Sequence, residues 1–416
     1  MGKYFIINKY LVNKLENIFI NQLGRVALED QPLEICERKG LGHPDTICDS
    51  VMNQISIQLS KEYLERFGMI LHHNVDKSLL AAGKSEPAYR GGKIIEPMRF
   101  VFGDRATFEV GNEVIPVNQI AESSASEWFE KNFRFIDPEI HVTYQSQILP
   151  GSVALKDIFD RKGEYLGAND TSAAVGYAPF SRTENIILDL EKFLNGPDYK
   201  NEYPESGEDI KLMGLRKNDD LHITIAMAMV DQFIENEKDY FRKRESILNS
   251  IQEFVDKRHD FNEVTFDLNA LDTKGRGIDG LYLTVLGTSA EAGDSGQVGR
   301  GNNVAGVIPL NRPMSSEAAA GKNPVSHVGK IYNALSYRIA DRVIERVNGL
   351  KEVYVWLLST IGKPINKPTI VSAQVIPEKE INMDSIVTEI DEIIQNEFQN
   401  LDTFIDDLAK GRVGLC

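Results

Sequence analysis

Residues 287–303 read Gly-Thr-Ser-Ala-Glu-Ala-Gly-Asp-Ser-Gly-Gln-Val-Gly-Arg-Gly-Asn-Asn, and residues 317–330 read Glu-Ala-Ala-Ala-Gly-Lys-Asn-Pro-Val-Ser-His-Val-Gly-Lys. Eight of the forty-four positions from Gly287 to Lys330 are glycine. Glycine lets backbone N–H groups approach a ligand closely, and here it alternates with charged side chains of the kinds that bind polyphosphate and its metal ion. The stretch predicts an anion site, although ordinary surface loops share this composition.

The second half of this stretch predicts the start of a helix. Asn323 and Pro324 suit the N-cap and first positions. Apolar residues then recur with helical spacing at Val328, Ile331, Leu335, Ile339, Val343 and Val347. Lys322 would lie at the positive end of that helix, where free N–H groups, the dipole and a lysine together favour phosphate.

A second helix start is predicted at the end of the stretch Glu37-Arg-Lys-Gly-Leu-Gly-His-Pro-Asp45. Pro44 suits the first helical position, and Asp49 lies one turn beyond Asp45 on the same face. A carboxylate near a helix N-terminus is held ionised, as a metal ligand must be. The alternative is that Asp45 merely complements the helix dipole.

Composition describes an ordinary soluble globular protein. The chain has 416 residues, 42% hydrophobic and 26% charged, which suggests about three domains or subdomains. A formal net charge of −16 disfavours binding to nucleic acid or anionic membranes. If the substrate is an anion, its site must be a local basic island.

Cysteine usage and the N-terminus indicate a cytoplasmic protein. The three cysteines, Cys36, Cys48 and Cys416, are few, odd in number and without metal-ligand spacing, which fits a reducing compartment. Residues 1–20 carry lysines and asparagines throughout, so we expect neither a signal peptide nor a spanning helix there.

The order of predicted elements indicates an α+β fold, with sheets covered on one face by helices. Residues 70–83 suggest two strands joined by a polar segment, and a helix is predicted over about 182–194. Residues 195–210 are polar and rich in chain breakers, and we interpret them as a mobile loop or internal boundary. Residues 275–280 match a dinucleotide-binding fingerprint but precede a strand-like run, so we interpret them as a turn.

A polar loop, Gly167-Ala-Asn-Asp-Thr-Ser172, is a candidate for nucleotide contacts. Its side chains and backbone groups can surround a nucleotide, but the same composition is common in turns.

Three separated motifs together carry a family resemblance. Gly-His-Pro-Asp at 42–45, Gly-Asp-Ser-Gly-Gln-Val-Gly-Arg at 293–300 and Ala-Gly-Lys-Asn-Pro at 320–324 resemble S-adenosylmethionine synthetases, also called methionine adenosyltransferases. Their longer forms are similar to the archaeal-type branch, and the likeness extends from about residue 34 to the C-terminus.

The resemblance implies one unit over 1–416, built of three similar α+β subdomains in a pseudo-threefold arrangement. It implies a homodimer or a dimer of dimers, with active sites at the subunit interface. It also implies Mg²⁺ and K⁺ as cofactors, with ATP and L-methionine as substrates. S-adenosylmethionine, pyrophosphate and phosphate would be the products, with triphosphate formed as an intermediate and then hydrolysed.

The resemblance also assigns roles to individual residues. Three would act in catalysis, namely His43, Arg300 and Lys322, and Asp45 would hold the metal. Contacts with ATP or methionine would come from Glu37, Gly167, Asn169, Asp170, Thr171, Ser172, Asp294 and Lys330.

The chain departs from the bacterial-type pattern at three lysines. Thr46 and Gly301 replace two of them, and the third falls near Asp220. Basic groups must then come from elsewhere, and the candidates are Lys39, Lys330, Arg276 and Arg105.

Two other functions stay open from the sequence. An ATP-dependent kinase or ligase would attack phosphorus instead of carbon, although no Walker sequence surrounds Gly321-Lys322. A non-catalytic nucleotide-binding subunit would explain the missing lysines.

Overall fold

The computed structural model describes residues 15–151, 165–258, 260–378 and 382–415. The first fourteen residues and Cys416 lie outside the described residues. Cys36 and Cys48 are buried and unpaired.

The helices of the described ranges are α1 (Pro44–Phe67), α2 (Val117–Asn132), α3 (Pro138–His141), α4 (Arg182–Leu194), α5 (Pro197–Glu202), α6 (Glu237–Asp256), α7 (Val328–Arg346), α8 (Met383–Gln399) and α9 (Leu401–Ala409). Short 3-10 turns occur at Leu28–Asp30, Asp231–Phe233, Gly277–Gly280 and Ser289–Glu291. None of the helices in these ranges combines the length and apolar character needed to cross a bilayer.

The strands are β1 (Ile18–Gln22), β2 (Leu33–Lys39), β3 (His73–Ala81), β4 (Lys84–Glu86), β5 (Lys93–Glu96), β6 (Met98–Ala106), β7 (Glu109–Val110), β8 (Glu113–Val114), β9 (Val142–Pro150), β10 (Ala173–Ala178), β11 (Ser206–Lys217), β12 (Asp220–Val230), β13 (Glu263–Leu268), β14 (Leu283–Thr284), β15 (Gly296–Gln297), β16 (Ile308–Pro309), β17 (Leu350–Leu358) and β18 (Ile370–Pro377).

The first sheet has the order β15-β3-β6-β9 and is covered on one face by α1 and α2. Alternation along β6 buries Phe100 and Phe102 against the helices and leaves Arg99 exposed. Our prediction of two strands within 70–83 was wrong. A bulge between Asn74 and Lys77 keeps the polar residues inside the single strand β3, where their side chains find partners.

The second sheet runs β13-β12-β11-β2-β16, with β14 beside β12, and packs against α4 and α6. Helix α4 begins with a capping box, in which Ser181 and Glu184 satisfy each other's backbone N–H groups. Its bounds confirm the prediction over about 182–194. The fingerprint-like residues form the 3-10 turn Gly277–Gly280, so the interpretation as a turn is also confirmed.

The third sheet runs β1-β18-β17-β10 and encloses a core with α7, α8 and α9. Each main sheet therefore has its own apolar core and its own helices, which confirms the α+β fold class. The pseudo-threefold relation between the three units stays a prediction.

The segment 195–210 follows α4 as expected, but it is not a separate loop throughout, because its last five residues are the start of β11. It contains α5, where Tyr199 and Lys200 are buried. Its role as a mobile loop or domain boundary stays a prediction.

Candidate active site

The start of α1 is built by Pro44 and His43. Pro44 is the first helical residue, as predicted, and His43 Nδ1 accepts a hydrogen bond of 3.2 Å from the backbone N–H of Asp45. Lys39, at the end of β2, donates from Nζ to Asp45 Oδ2 at 2.9 Å and to the Arg300 carbonyl oxygen at 2.5 Å. One lysine thus joins the helix start to the arginine loop.

The glycine-rich loop is fastened to α1 through its backbone. Asp45 Oδ1 accepts from Gln297 N at 2.9 Å, and the two carboxylate oxygens of Asp49 accept from Gly299 N at 2.7 Å and Gly301 N at 3.1 Å. These bonds hold the loop while the side chain of Arg300 stays exposed. They also explain Gly301, because a Cβ there would lie 2.2 Å from Asp49 Oδ2, which leaves no room for lysine.

The segment from Lys322 to Lys330 is attached farther along the same side of α1. Ser56 Oγ donates to the Lys322 carbonyl oxygen at 2.9 Å. Lys330 Nζ donates to Asn53 Oδ1 at 3.0 Å and to Ser56 Oγ at 3.3 Å. Lys330 lies in the first turn of α7 and is 1% exposed, and its ammonium faces α1. Helix α1 therefore carries all three predicted pieces of the site.

Our prediction that a helix begins at Pro324 was wrong, because α7 begins at Val328. Asn323 Oδ1 accepts from Val325 N and from Ser326 Oγ, and these bonds resemble a cap but close a separate turn. His327 is the true cap, with Nδ1 accepting from Gly329 N at 3.1 Å. Lys322 still reaches this end of α7, since its Cε lies 3.0 Å from the position a Cβ would take on Gly329.

Lys322 lies beside an open cleft. Its ammonium lies 2.8 Å from Asp76 Oδ2 and 3.0 Å from Glu317 Oε2. The cleft is on the face of the first sheet opposite α1 and α2, and its lining includes Asp76, Lys77, Leu79, Gln297, Glu317 and Lys322.

His43 is neutral near pH 7. Burial, helped by the charges of Lys39 and Lys211, lowers the pKa of its imidazole to about 4 against the opposing effect of Asp45. Because Nδ1 accepts from the Asp45 N–H, the proton of the neutral ring is on Nε2. His43 can therefore donate one hydrogen bond to a ligand without carrying charge.

Lys211 is a basic residue of the site that sequence reasoning missed. It lies on β11 opposite Lys39 and forms an ion pair with Glu37 at 3.1 Å. Asp76 and Glu317 were missed as well. No local pattern marks these residues, because strand register and loop packing bring them to the site.

Asp294 is exposed, and its backbone N–H donates to the Ser289 carbonyl oxygen. Its charge lies close to Asp209, whose pKa is raised to about 6 chiefly by burial, with Asp294 adding to the effect. Asp209 in turn accepts from Ser289 N and Oγ, so it holds the loop that carries Asp294.

The polar loop from Gly167 to Ser172 lies in the third unit. It pairs with the turn around Pro364 through Gly167, and Thr171 Oγ1 accepts from Ile361 N at 2.9 Å. Asn169 N donates to Ser326 O at 3.2 Å, which links the loop to the segment after Lys322. Within the described ranges of one chain, no hydrogen bond or ion pair joins this loop to His43 or Arg300.

The four basic candidates have different positions. Lys39 is part of the cluster around Asp45, and Lys330 is buried as described above. Arg105 is exposed on β6 beside Asp104, and Arg276 is exposed at the turn before Gly277.

The donor set around Asp45 fits a single Mg²⁺. A carboxylate offers about four lone-pair positions, and the bonds from Lys39 and Gln297 leave others for a ligand. Mg²⁺ is commonly held by one or two carboxylates together with substrate phosphates and water. Among the described residues there is no group of three or more His, Cys, Asp or Glu placed to hold a metal ion, so such an ion would depend on the substrate.

Comparison with known proteins decides the family. The family model described as S-adenosylmethionine synthetase (AdoMet synthetase) matches residues 16–412. The chain belongs to this family. An S-adenosylmethionine synthase of Thermococcus onnurineus is 46% identical over 398 residues, covering 95% of this chain and 96% of the relative. A probable S-adenosylmethionine synthase of Aquifex aeolicus is 45% identical over 390 residues, covering 93% and 96%.

A solved structure supports the fold of this S-adenosylmethionine synthetase family member. The unusual S-adenosylmethionine synthetase of Campylobacter jejuni superposes with a TM-score of 0.57 at 17% identity, covering 92% of this chain and 95% of that one. The resemblance to the archaeal-type branch, stated from the motifs alone, is confirmed.

Proposed function

We propose that the chain is a methionine adenosyltransferase, which makes S-adenosylmethionine from ATP and L-methionine. In this proposal triphosphate leaves intact and is then hydrolysed to pyrophosphate and phosphate. Family membership supports the overall reaction. The observation that carries it is the common attachment of the Gly-His-Pro-Asp turn, the Arg300 loop and the Lys322 segment to α1.

The chemical step requires alignment and charge stabilisation. The methionine sulfur forms a bond to C5′ of ATP, the C5′–O bond breaks, and its electron pair goes to the triphosphate. A thioether has no proton to lose, so no general base is needed. The protein must align sulfur, carbon and oxygen and stabilise the charge that develops on the leaving group.

Three residues face that charge in our proposal. His43 donates from Nε2–H to the triphosphate near the breaking bond. Arg300 supplies an exposed guanidinium, and Lys322 supplies an ammonium beside the start of α7. Fixed donors of this kind need little rearrangement during the reaction.

Enzymes of this family are in general metal-dependent. We propose Mg²⁺, held by Asp45 and the phosphates, and K⁺ as a monovalent activator. When bound, Mg²⁺ neutralises part of the triphosphate charge. Asp45 also accepts the bonds from Lys39 and Gln297, so it positions the loop of Arg300 as well.

Substrate contacts complete the proposal. Glu37 and Asp294 would border the nucleoside and methionine, Lys330 would support the ATP side, and the Gly167–Ser172 loop would approach the same substrates. Within one chain this loop is bonded to Ser326 and to Ile361, and we propose that it approaches His43 and Arg300 of a second copy.

We propose a homodimer or a dimer of dimers in the cytoplasm, with active sites between subunits. In this proposal Leu79, which is 46% exposed on the cleft face of the first sheet, would be covered by the partner subunit. The unpaired Cys36 and Cys48 fit a reducing compartment.

One incubation tests the reaction. The protein is mixed with ATP, L-methionine, Mg²⁺ and K⁺, and the products are analysed by mass spectrometry and phosphate release. We expect a sulfonium product and an adenosine group that has lost all three phosphates. Formation of ADP or AMP would indicate attack on phosphorus instead, and unchanged ATP would indicate a non-catalytic nucleotide-binding subunit.

A further inference from the structure

Lys322 is held by two carboxylates with different surroundings. Asp76 Oδ2 lies 2.8 Å from its ammonium and Glu317 Oε2 lies 3.0 Å away. The side chain of Asp76 is 5% exposed, whereas that of Glu317 is 32% exposed and lines the cleft. An ammonium has three N–H donors, so two carboxylates leave few for a ligand.

Asp76 is fixed in the first sheet. Its Oδ1 lies 2.8 Å from Lys77 Nζ and accepts from Asn74 Nδ2 at 3.0 Å, while Oδ2 faces Lys322. Burial raises the pKa of Asp76, but the charges of Lys322 and Lys77 hold it well below its usual range. A buried ammonium is strongly unfavourable without such a partner, so Asp76 fixes both the position and the charge of Lys322.

Glu317 is attached differently. It lies between β16 and α7, and its backbone is tied by Asn333 Nδ2, which donates to the Glu317 carbonyl oxygen at 2.9 Å. The backbone of Glu317 is thus held by a bond that does not involve its carboxylate.

The position of the Glu317 carboxylate suits a phosphate. Its Oε2 lies 3.2 Å from where a Cβ would stand on Gly329, in the first turn of α7. A carboxylate next to a lysine and a helix N-terminus occupies a place that also suits a phosphate oxygen.

We propose that Asp76 positions Lys322 for the triphosphate and that Glu317 occupies the phosphate position at Lys322 until triphosphate displaces it. This inference rests on the proposed function, in which Lys322 binds triphosphate. Asp76 and Glu317 then act in opposite directions on polyphosphate binding, although both carry the same charge and contact the same ammonium.

Calorimetric titration of the full-length protein with inorganic tripolyphosphate, in the presence of a metal chelator, tests the proposal. We expect Glu317→Gln to bind roughly 5- to 10-fold more tightly, because an internal competitor is lost. We expect Asp76→Asn to bind at least about 10-fold more weakly, because Lys322 loses its fixed partner. Asp76→Asn should also lower kcat while the KM for methionine stays unchanged.

Glu86→Gln is the matched control. Glu86 forms an exposed ion pair with Lys93, also at 3.0 Å, on the hairpin β4–β5. Its loss removes one negative charge away from Lys322, so affinity should stay within about twofold of the wild type.

Three results would overturn the proposal: absence of tripolyphosphate binding by the wild type, unchanged or weaker binding by Glu317→Gln, or tighter binding by Asp76→Asn. If Asp76→Asn does not fold, Glu317→Gln is compared with and without Lys322→Met, and an effect that persists without Lys322 contradicts the proposal. Failure of the adenosyl-transfer assay with these affinity changes intact would remove the proposed reaction but not tripolyphosphate binding at Lys322, so the two failures are distinguishable.

Discussion

The side chain of Arg300 lies at the tip of a loop whose backbone is held by other residues. Its N–H donates to Gln297 O at 3.3 Å and its carbonyl oxygen accepts from Lys39 at 2.5 Å. Removing the guanidinium should therefore leave the loop in place. We expect Arg300→Ala to lower kcat roughly 10³-fold, about 4 kcal/mol in activation free energy, as measured by steady-state kinetics.

Arg66→Ala is the control for this variant. Arg66 forms ion pairs with Glu62 and Glu113 at the far end of α1, about 30 Å from the helix start. Near-normal turnover in folded Arg300→Ala would exclude Arg300 from the mechanism.

The buried carboxyl of Glu291 should make the free energy of unfolding depend on pH. It is buried and accepts from Val285 N, Leu286 N and Ser85 Oγ, and burial raises the pKa of its carboxyl from 4.5 to about 7. The folded chain thus holds a proton that the unfolded chain releases between those pH values. The contribution of Glu291 is present below pH 4.5 and is lost as pH rises through about 7.

Unfolding by urea at pH 5 and pH 8 measures this effect. The stability difference between the wild type and Glu291→Gln should favour the wild type more at pH 5, by on the order of 3 kcal/mol. A difference that does not change with pH would show that Glu291 titrates normally.

At the scale of elements, His43 has two roles at the start of α1: it caps the helix, and it is proposed to donate a hydrogen bond to the triphosphate. His43→Ala removes the cap acceptor and should cost about 1 kcal/mol of unfolding free energy, whereas His43→Asn keeps an acceptor. Both variants lose the imidazole Nε2–H, so both should lower turnover by about 10²-fold or more. Chemical denaturation and steady-state kinetics on the same samples distinguish the two effects. If His43→Asn has normal turnover, His43 serves only as a cap.

Of the two helix starts predicted from the sequence, the one at Pro44 is confirmed and the one at Pro324 is wrong, and the difference has a physical reason. Proline at the first position and a side-chain acceptor before it mark α1 correctly. The same signals at Asn323 and Pro324 close a turn, and His327 supplies the real cap four residues later. Local propensity cannot tell a capped turn from a capped helix, because both satisfy the same first N–H groups.

At the scale of the whole molecule, a mixing experiment tests the interfacial site. Arg300→Ala and Asp170→Ala should each be inactive alone. If these residues reach one site from different chains, a mixed dimer keeps one intact site, so an equal mixture recovers about a quarter of wild-type activity. Activity is measured after the mixed variants have been unfolded and refolded together. Each variant unfolded and refolded alone is the control. If no activity is recovered, each active site takes Arg300 and Asp170 from the same chain.

The fold class and the start of α1 were predictable because hydrophobic periodicity and proline signals are local. Asp76, Glu317 and Lys211 were not, because each reaches the site through contacts between segments far apart in the chain. Lys211 lies opposite Lys39 only through the pairing of β11 with β2. Such pairings depend on the complete packing of the sheets, and a single sequence does not state them.

Helix α1 presents Asp45, Asp49, Asn53 and Ser56 along one side, and these four residues fasten two remote stretches of chain, 297–301 and 322–330. A helix moves largely as a rigid body, so chain segments that are hydrogen-bonded to α1 move together with it. The distance between the two stretches should therefore vary less than the position of α1 relative to the rest of the molecule. Thermal motion would then displace the two stretches together and leave the distance between them nearly unchanged.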